Sequence, residues 1–181
     1  MARPRRPSEY TVTSDMTVRV VLTGGTTCLI DYVDIDLTER CWRNKDGYAV
    51  RLRLDDHPRM VRMHRVILER KLDRPLTNRE LADHINGDRL DNRRSNLRAA
   101  DPRQNSINRG VTSRNSTGYK GVFHMKHRAG RRTKPYAARI EVEDLPIYVS
   151  FCETAEEAAW MYDQWALALH GGYARLNFEY V

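Results

Sequence analysis

The 181 residues include only three cysteines, Cys28, Cys41 and Cys152. The number is odd and no CxxC pair occurs, which argues against a disulfide framework or a cysteine-built zinc site and fits a reducing compartment. No apolar run approaches the ~18 residues of a membrane-spanning helix. The N-terminal stretch MARPRRPSEY is basic, but no apolar segment follows it. Residues 1–16 therefore read as a disordered basic arm able to touch phosphate, not as a secretion signal. Acidic side chains are scarce in one place. Residues 61–117 carry 13 basic against 7 acidic groups, net +6, whereas 1–60 are net +1 and 118–181 net zero. Almost all of the net charge of +7 thus sits in the middle third. A basic surface there attracts a polyanion such as nucleic acid; the plainer reading is a solvated charged face.

The first 70 residues pattern as a small β-rich lobe. Residues 17–37 hold two short β-rich runs around Gly24-Gly25, a hairpin signal. Residues 47–55 alternate apolar and charged side chains, as a half-buried strand does. Val61 to Leu68 fits a strand or the start of a helix. Asp101-Pro102 opens a short helix through Asn105, with the aspartate as N-cap and proline in the first turn. Residues 110–117 are Ser, Thr, Asn and Gly-rich and read as a linker. Beyond them, Tyr119–Met125, Tyr136–Val142 and Ile147–Phe151 are three β-like runs. Thr154 then caps a long amphipathic helix that ends at Gly171-Gly172. Trp165 is expected in the core of that module.

One segment carries chemistry. Asp83-His84-Ile85-Asn86-Gly87 is followed by Asn92, Asn96-Leu97-Arg98 and Gln104-Asn105. Phosphodiester hydrolysis needs a base active near neutral pH, which histidine supplies. It also needs a cation for the leaving oxygen, and Mg²⁺ takes only one or two hard oxygen ligands from a protein. An aspartate and an asparagine carbonyl suffice, and a second amide can hold the histidine in one tautomer. Asp83 and His84 face opposite ways on a regular strand, so the strand end must bend to bring both to one phosphate. His64, among apolar neighbours, reads as a packed, hydrogen-bonded histidine rather than a ligand.

The whole string DHINGDRLDNRRSNLRAADPRQNSINR, residues 83–109, strongly resembles the HNH family of ββα-metal (His-Me finger) nucleases found in phage and intron homing endonucleases. The resemblance extends upstream to Met63-His64-Arg65 and to WRNKDGYAV, residues 42–50. It implies that His84 is the general base, that Asp83 ligates metal, and that Asn96 orients the histidine and braces the loop. Asn105 stands where many members carry a second metal-binding histidine, which favours Mg²⁺ or Mn²⁺ over zinc. Arg65, Arg93, Arg94 and Arg98 are the candidate phosphate contacts nearby.

The runs GYKGVF, PYAARI and YVSF, the helix TAEEAAWMYDQWALALHG and the terminal Leu176-Asn177-Phe178 resemble the Apetala-type, ethylene-response-factor-like DNA-binding domain over residues 118–178. That family lays a three-stranded sheet in the major groove with a helix behind it, which groove dimensions permit. The base-reading positions depart from the family. Phe123 and Met125 replace sheet arginines, Arg139 and Glu141 stand in exchanged order, and Tyr148 replaces a tryptophan. Lys120, Arg139 and Tyr148 remain as candidate contacts, with Lys126, Arg132 and Lys134 on the hairpin loop.

These readings give an α+β chain: a disordered basic arm over 1–16, an HNH endonuclease domain over 17–109, a linker over 110–117, and over 118–181 a DNA-binding domain in which a three-stranded antiparallel sheet packs on one helix. The function they imply is metal-dependent cleavage of double-stranded DNA by a monomer or weak dimer in the cytoplasm, that of the host if the chain is phage-encoded. The alternative is a sequence-specific DNA-binding regulator without catalysis.

Overall fold

The computed structural model describes residues 7–53, 59–125, 134–143 and 145–180, and among them the side chains of Arg53 and Arg59 are not described. The chain divides into two compact units, Met1–Pro102 and Arg103–Val181.

In the first unit, β1 (Tyr10–Val12), β2 (Thr17–Val21) and β3 (Thr27–Asp31) form an antiparallel meander, with Gly24-Gly25 in the β2–β3 turn. Residues 1–6 of the expected disordered arm lie outside the described residues. From Tyr10 the expectation does not hold, because Tyr10–Val12 pairs with Val18–Val20 and extends the sheet by a strand. Alternation buries Val18 and Val20 on one side of β2 and Cys28 and Ile30 on β3. A 3₁₀ segment, Tyr32–Glu39, follows. The second sheet is β4 (Arg43–Lys45), β5 (Tyr48–Arg53) and β6 (Arg59–Arg62). The ambiguous run after it resolves into both elements: β6 ends at Arg62 and α1 (Met63–Leu72) starts at the next residue. Helix α1 turns Met63, His64, Ile67 and Leu68 inward, onto a core shared with Val18, Val20, Ile30, Trp42 and Leu97. Trp42 is fully enclosed, and its indole N–H donates to Leu37 O at 2.8 Å, so its one polar atom is satisfied.

The unit closes with a hairpin, β7 (Leu81–His84) and β8 (Leu97–Ala100), which pairs Asp83 with Arg98 and His84 with Leu97. Helix α2 (Pro102–Ile107) comes next in the chain.

The second unit begins earlier than residue 118. Residues 115–117, expected as part of a linker, are tied to its first strand. Asn115 Nδ2 donates to Tyr119 O at 2.8 Å, and Thr117 Oγ1 donates to Val122 O at 3.2 Å. Strands β9 (Val122–His124), β10 (Tyr136–Val142) and β11 (Leu145–Cys152) form an antiparallel sheet with β10 central. Helix α3 (Ala155–His170) packs on one face. Thr154 caps it reciprocally with Glu157, as the sequence anticipates. The helix presents its alanines to the sheet: Ala158, Ala159 and Ala166 are fully buried, with Tyr162 beside them. Trp165 is 43% exposed, which corrects its expected core placement. Small side chains let the helix lie close to the sheet, and the bulkier Trp160–Trp165 side is left outside. Gly121 permits this packing, because a Cβ there would stand 2.0 Å from the Tyr162 ring, at a φ of +72°. The terminal Leu176-Asn177-Phe178 motif acts as a clasp. Buried Asp163 on α3 accepts from Asn177 N, Asn177 Nδ2 and Phe178 N, while Asn177 Oδ1 accepts from Lys120 N at 2.6 Å.

Candidate active site

The hairpin β7–β8 carries Asp83 and His84 at the end of its first strand, and both are buried. The loop that follows is fixed from three directions. Gly87 makes the first turn at a φ of +76°, donating to His84 O at 2.9 Å. Residues 90–92 then run along the outer edge of β3, where Leu29 N donates to Leu90 O and Asn92 N donates to Leu29 O, both at 2.8 Å. Finally, Arg94 N donates to Asp31 Oδ2 at 2.6 Å, and the Arg94 guanidinium grips the fully buried Asp34, which Arg70 also reaches. The N-terminal β lobe therefore holds the site loop in place.

That anchoring delivers Asn92 to the histidine. Asn92 is 0% exposed, and its Oδ1 lies 3.2 Å from His84 Nε2. Its Nδ2 donates to Leu90 O at 3.2 Å, which settles which end of the amide faces the ring. An acceptor oxygen facing Nε2 requires the proton on Nε2, and this tautomer leaves the ring lone pair on Nδ1. Burial lowers the His84 pKa below the ordinary 6.5, against the Asn92 hydrogen bond and the nearby carboxylates, led by Asp83, which raise it. Burial thus favours the uncharged ring.

Asn96 is buried in the site loop. It braces the loop: Oδ1 accepts from Asn86 N at 3.0 Å, and Nδ2 donates to Asn86 Oδ1 at 2.9 Å and to Asp91 O at 2.8 Å. A side-chain hydrogen bond to the His84 ring comes from Asn92, four residues earlier. Sequence reading placed Asn92 in the motif but gave it no role.

Asp83 Oδ2 accepts from Arg98 Nε at 2.9 Å across the hairpin, which aims the carboxylate. Among the described residues, no three His, Cys, Asp or Glu side chains gather into a metal cage. A single aimed carboxylate is a donor set that a hard divalent cation keeping most of its shell as water can accept. Asn105 lies half-buried on α2, in the second unit, and is described with it.

His64 packs as expected. It is 4% exposed, its ring 4.9 Å from that of His84 in an edge-on arrangement and 5.1 Å from that of Tyr48. It is not hydrogen-bonded at Nδ1, which has no partner among the described residues. Burial first, then the charges of His84, Arg62 and Arg65, push its pKa down to about 3.

The four arginines proposed from sequence as phosphate contacts all reach carboxylates of the protein itself. Arg65 pairs with Glu69, Arg93 with Asp91, Arg94 with Asp34 and Arg98 with Asp83.

In the second unit, Arg139 and Tyr148 are cross-strand neighbours on β10 and β11. The Arg139 guanidinium lies 4.0 Å over the Phe123 ring, and Tyr148 stacks with Phe151 at 6.0 Å, giving an exposed aromatic and cationic sheet face. Lys120 does not join it. Its ammonium donates to Ile107 O, and burial lowers its pKa to about 8. Lys134 is exposed, and Lys126 and Arg132 lie outside the described residues. No helix among the described residues is long and apolar enough to cross a membrane.

Neither a family model nor a solved structure matches the chain. Over 133 residues it is 30% identical to a protein of Acanthamoeba polyphaga mimivirus named an uncharacterized HNH endonuclease. That match spans 74% of this chain and 64% of the viral protein, so the chain is similar over most of its own length to a protein carrying the HNH endonuclease name.

Proposed function

We propose that the chain is a metal-dependent endonuclease that hydrolyses phosphodiester bonds of double-stranded DNA. The observation that carries this reading is a buried His84 whose Nε2 faces Asn92 Oδ1 and whose neighbour Asp83 is aimed by Arg98. The likeness to the viral HNH endonuclease supports it.

In this mechanism His84 Nδ1 takes a proton from water, and the resulting hydroxide attacks phosphorus in line with the leaving 3′-oxygen. Asn92 keeps the ring in the productive tautomer, and burial keeps it unprotonated until the step occurs. Asp83 would hold Mg²⁺ or Mn²⁺, which when bound supplies positive charge for the phosphate and the leaving oxygen. The assignment of Asn105 to the metal rests on the resemblance alone. The second unit would position the cut through its exposed sheet face, with Arg139, Tyr148 and Phe151 against DNA; this reading rests on the resemblance to ethylene-response-factor-like domains and on that face's chemistry.

Incubation of supercoiled plasmid with the purified chain and Mg²⁺ tests the function. The expected product is nicked circle that DNA ligase alone reseals, because this chemistry leaves a 5′-phosphate and a 3′-hydroxyl. Intact plasmid at every metal and salt concentration would leave a DNA-binding regulator as the reading.

A further inference from the structure

Two arginines that the sequence did not single out stand over a ring that neighbours His84. Tyr48, at the start of β5, has its ring centroid 6.2 Å from that of His84. The Arg62 guanidinium lies 5.2 Å from the Tyr48 ring centroid and that of Arg89 lies 4.7 Å from it. They come from distant points of the unit: Arg62 ends β6, and Arg89 follows the Gly87 turn. Both are exposed, and among the described residues neither forms an ion pair, unlike Arg65, Arg93, Arg94 and Arg98.

We propose that Arg62 and Arg89, mounted on Tyr48, are the clamp that grips backbone phosphates of duplex DNA next to the bond exposed to His84. A guanidinium stacked on an aromatic ring uses its face there and keeps its edge N–H groups for phosphate oxygens. Arg89 is also steadied at one edge, because its Nη1 donates to Asp46 O at 3.0 Å in the β4–β5 turn. The excess charge of the middle third thereby gains a location. Several of its arginines are neutralised internally, whereas this pair keeps its charge for a ligand, one ring away from the base. The inference deepens the nuclease reading and rests on it for the identity of the polyanion.

The test is fluorescence anisotropy of a labelled duplex with the full chain in EDTA, where binding is read without cleavage, over 50–300 mM salt. Arg62→Gln and Arg89→Gln should each weaken binding about tenfold at low salt and flatten the log–log salt dependence by about one unit. Arg74→Gln, whose guanidinium pairs with Glu80 and which has no part in the site, should leave the slope unchanged. Thermal melting shows that the variants are folded. Folded Arg62→Gln and Arg89→Gln proteins with parental affinity and slope would overturn the clamp even if the parent cuts DNA. A parent that binds duplex with a steep slope lost in these variants, yet never cuts, would keep the clamp and overturn the nuclease reading. A parent that does not bind duplex at all overturns the clamp.

Discussion

Replacing Asn92 by alanine separates its role from that of Asn96. The side chain is completely enclosed, so the change removes two contacts that water cannot replace. These are the acceptor for His84 Nε2 at 3.2 Å and the donor to Leu90 O at 3.2 Å. Leu90 O keeps its bond from Leu29 N, so the main cost is the buried His84 Nε2 deprived of its acceptor, about 1–3 kcal/mol for the folded unit. The catalytic loss is separate. Without the Asn92 acceptor the bond that favours the proton on Nε2 is gone, and the tautomer protonated on Nδ1, the atom that must take the proton from water, gains population. Loss of such an orienting partner typically costs about 10–100-fold. Single-turnover nicking under conditions where both proteins are folded should show that loss in kcat, with KM for DNA unchanged. Asn92→Asp supplies the discriminating control. A carboxylate keeps the acceptor but stabilises the imidazolium, so the His84 pKa rises and the acid limb of the rate profile moves to higher pH. If Asn92→Ala cuts at the parental rate while folded, or if Asn92→Asp leaves the pH profile in place, the orientation argument fails.

Three further outcomes follow from the same geometry. Burial depresses the His84 pKa, and the base is active when unprotonated, so the parental rate should rise with pH through a midpoint below 6.5 and be flat above it; a midpoint at or above 6.5 in the free enzyme contradicts the burial argument. His64 has a folded pKa of about 3 against 6.5 unfolded, so the unfolded chain binds the proton first. The stability it contributes is complete above pH 6.5 and is lost as pH falls towards 3; urea titrations should show roughly 2–3 kcal/mol lost between pH 6.5 and 4.5 from this group, and His64→Leu should remove that component. Gly121→Ala adds left-handed strain of about 1–2 kcal/mol and a clash with the Tyr162 ring costing about 1–3 kcal/mol, so urea unfolding should show a loss near 3 kcal/mol, partly relieved in the Gly121→Ala/Tyr162→Ala double variant; strictly additive losses would show that the two residues do not meet.

Local patterns made much of the fold legible. Gly24-Gly25 marks its hairpin, alternation marks β5, and the Thr154–Glu157 box marks the start of α3. On α3 periodicity marked the helix but misplaced Trp165. Close packing of Ala158, Ala159 and Ala166 decided against the larger Trp165. The Asp83-His84 pair was legible because its chemistry lies in adjacent residues. Asn92 was not, since its position depends on residues 90–92 joining the edge of β3, a pairing across some 60 residues that no local pattern encodes. The partners of the arginines were hidden for the same reason. Nothing near Arg94 in the sequence reveals that Asp34 holds it, and nothing near Arg62 or Arg89 reveals that Tyr48 lies beneath both.

The most direct test of the central claim compares the parent with His84→Ala on supercoiled plasmid with Mg²⁺, both verified as folded. Nicking by the parent, abolished by EDTA and reduced at least a thousandfold in His84→Ala, is the predicted result. Equal nicking by the two proteins would contradict the assignment of His84 as the base.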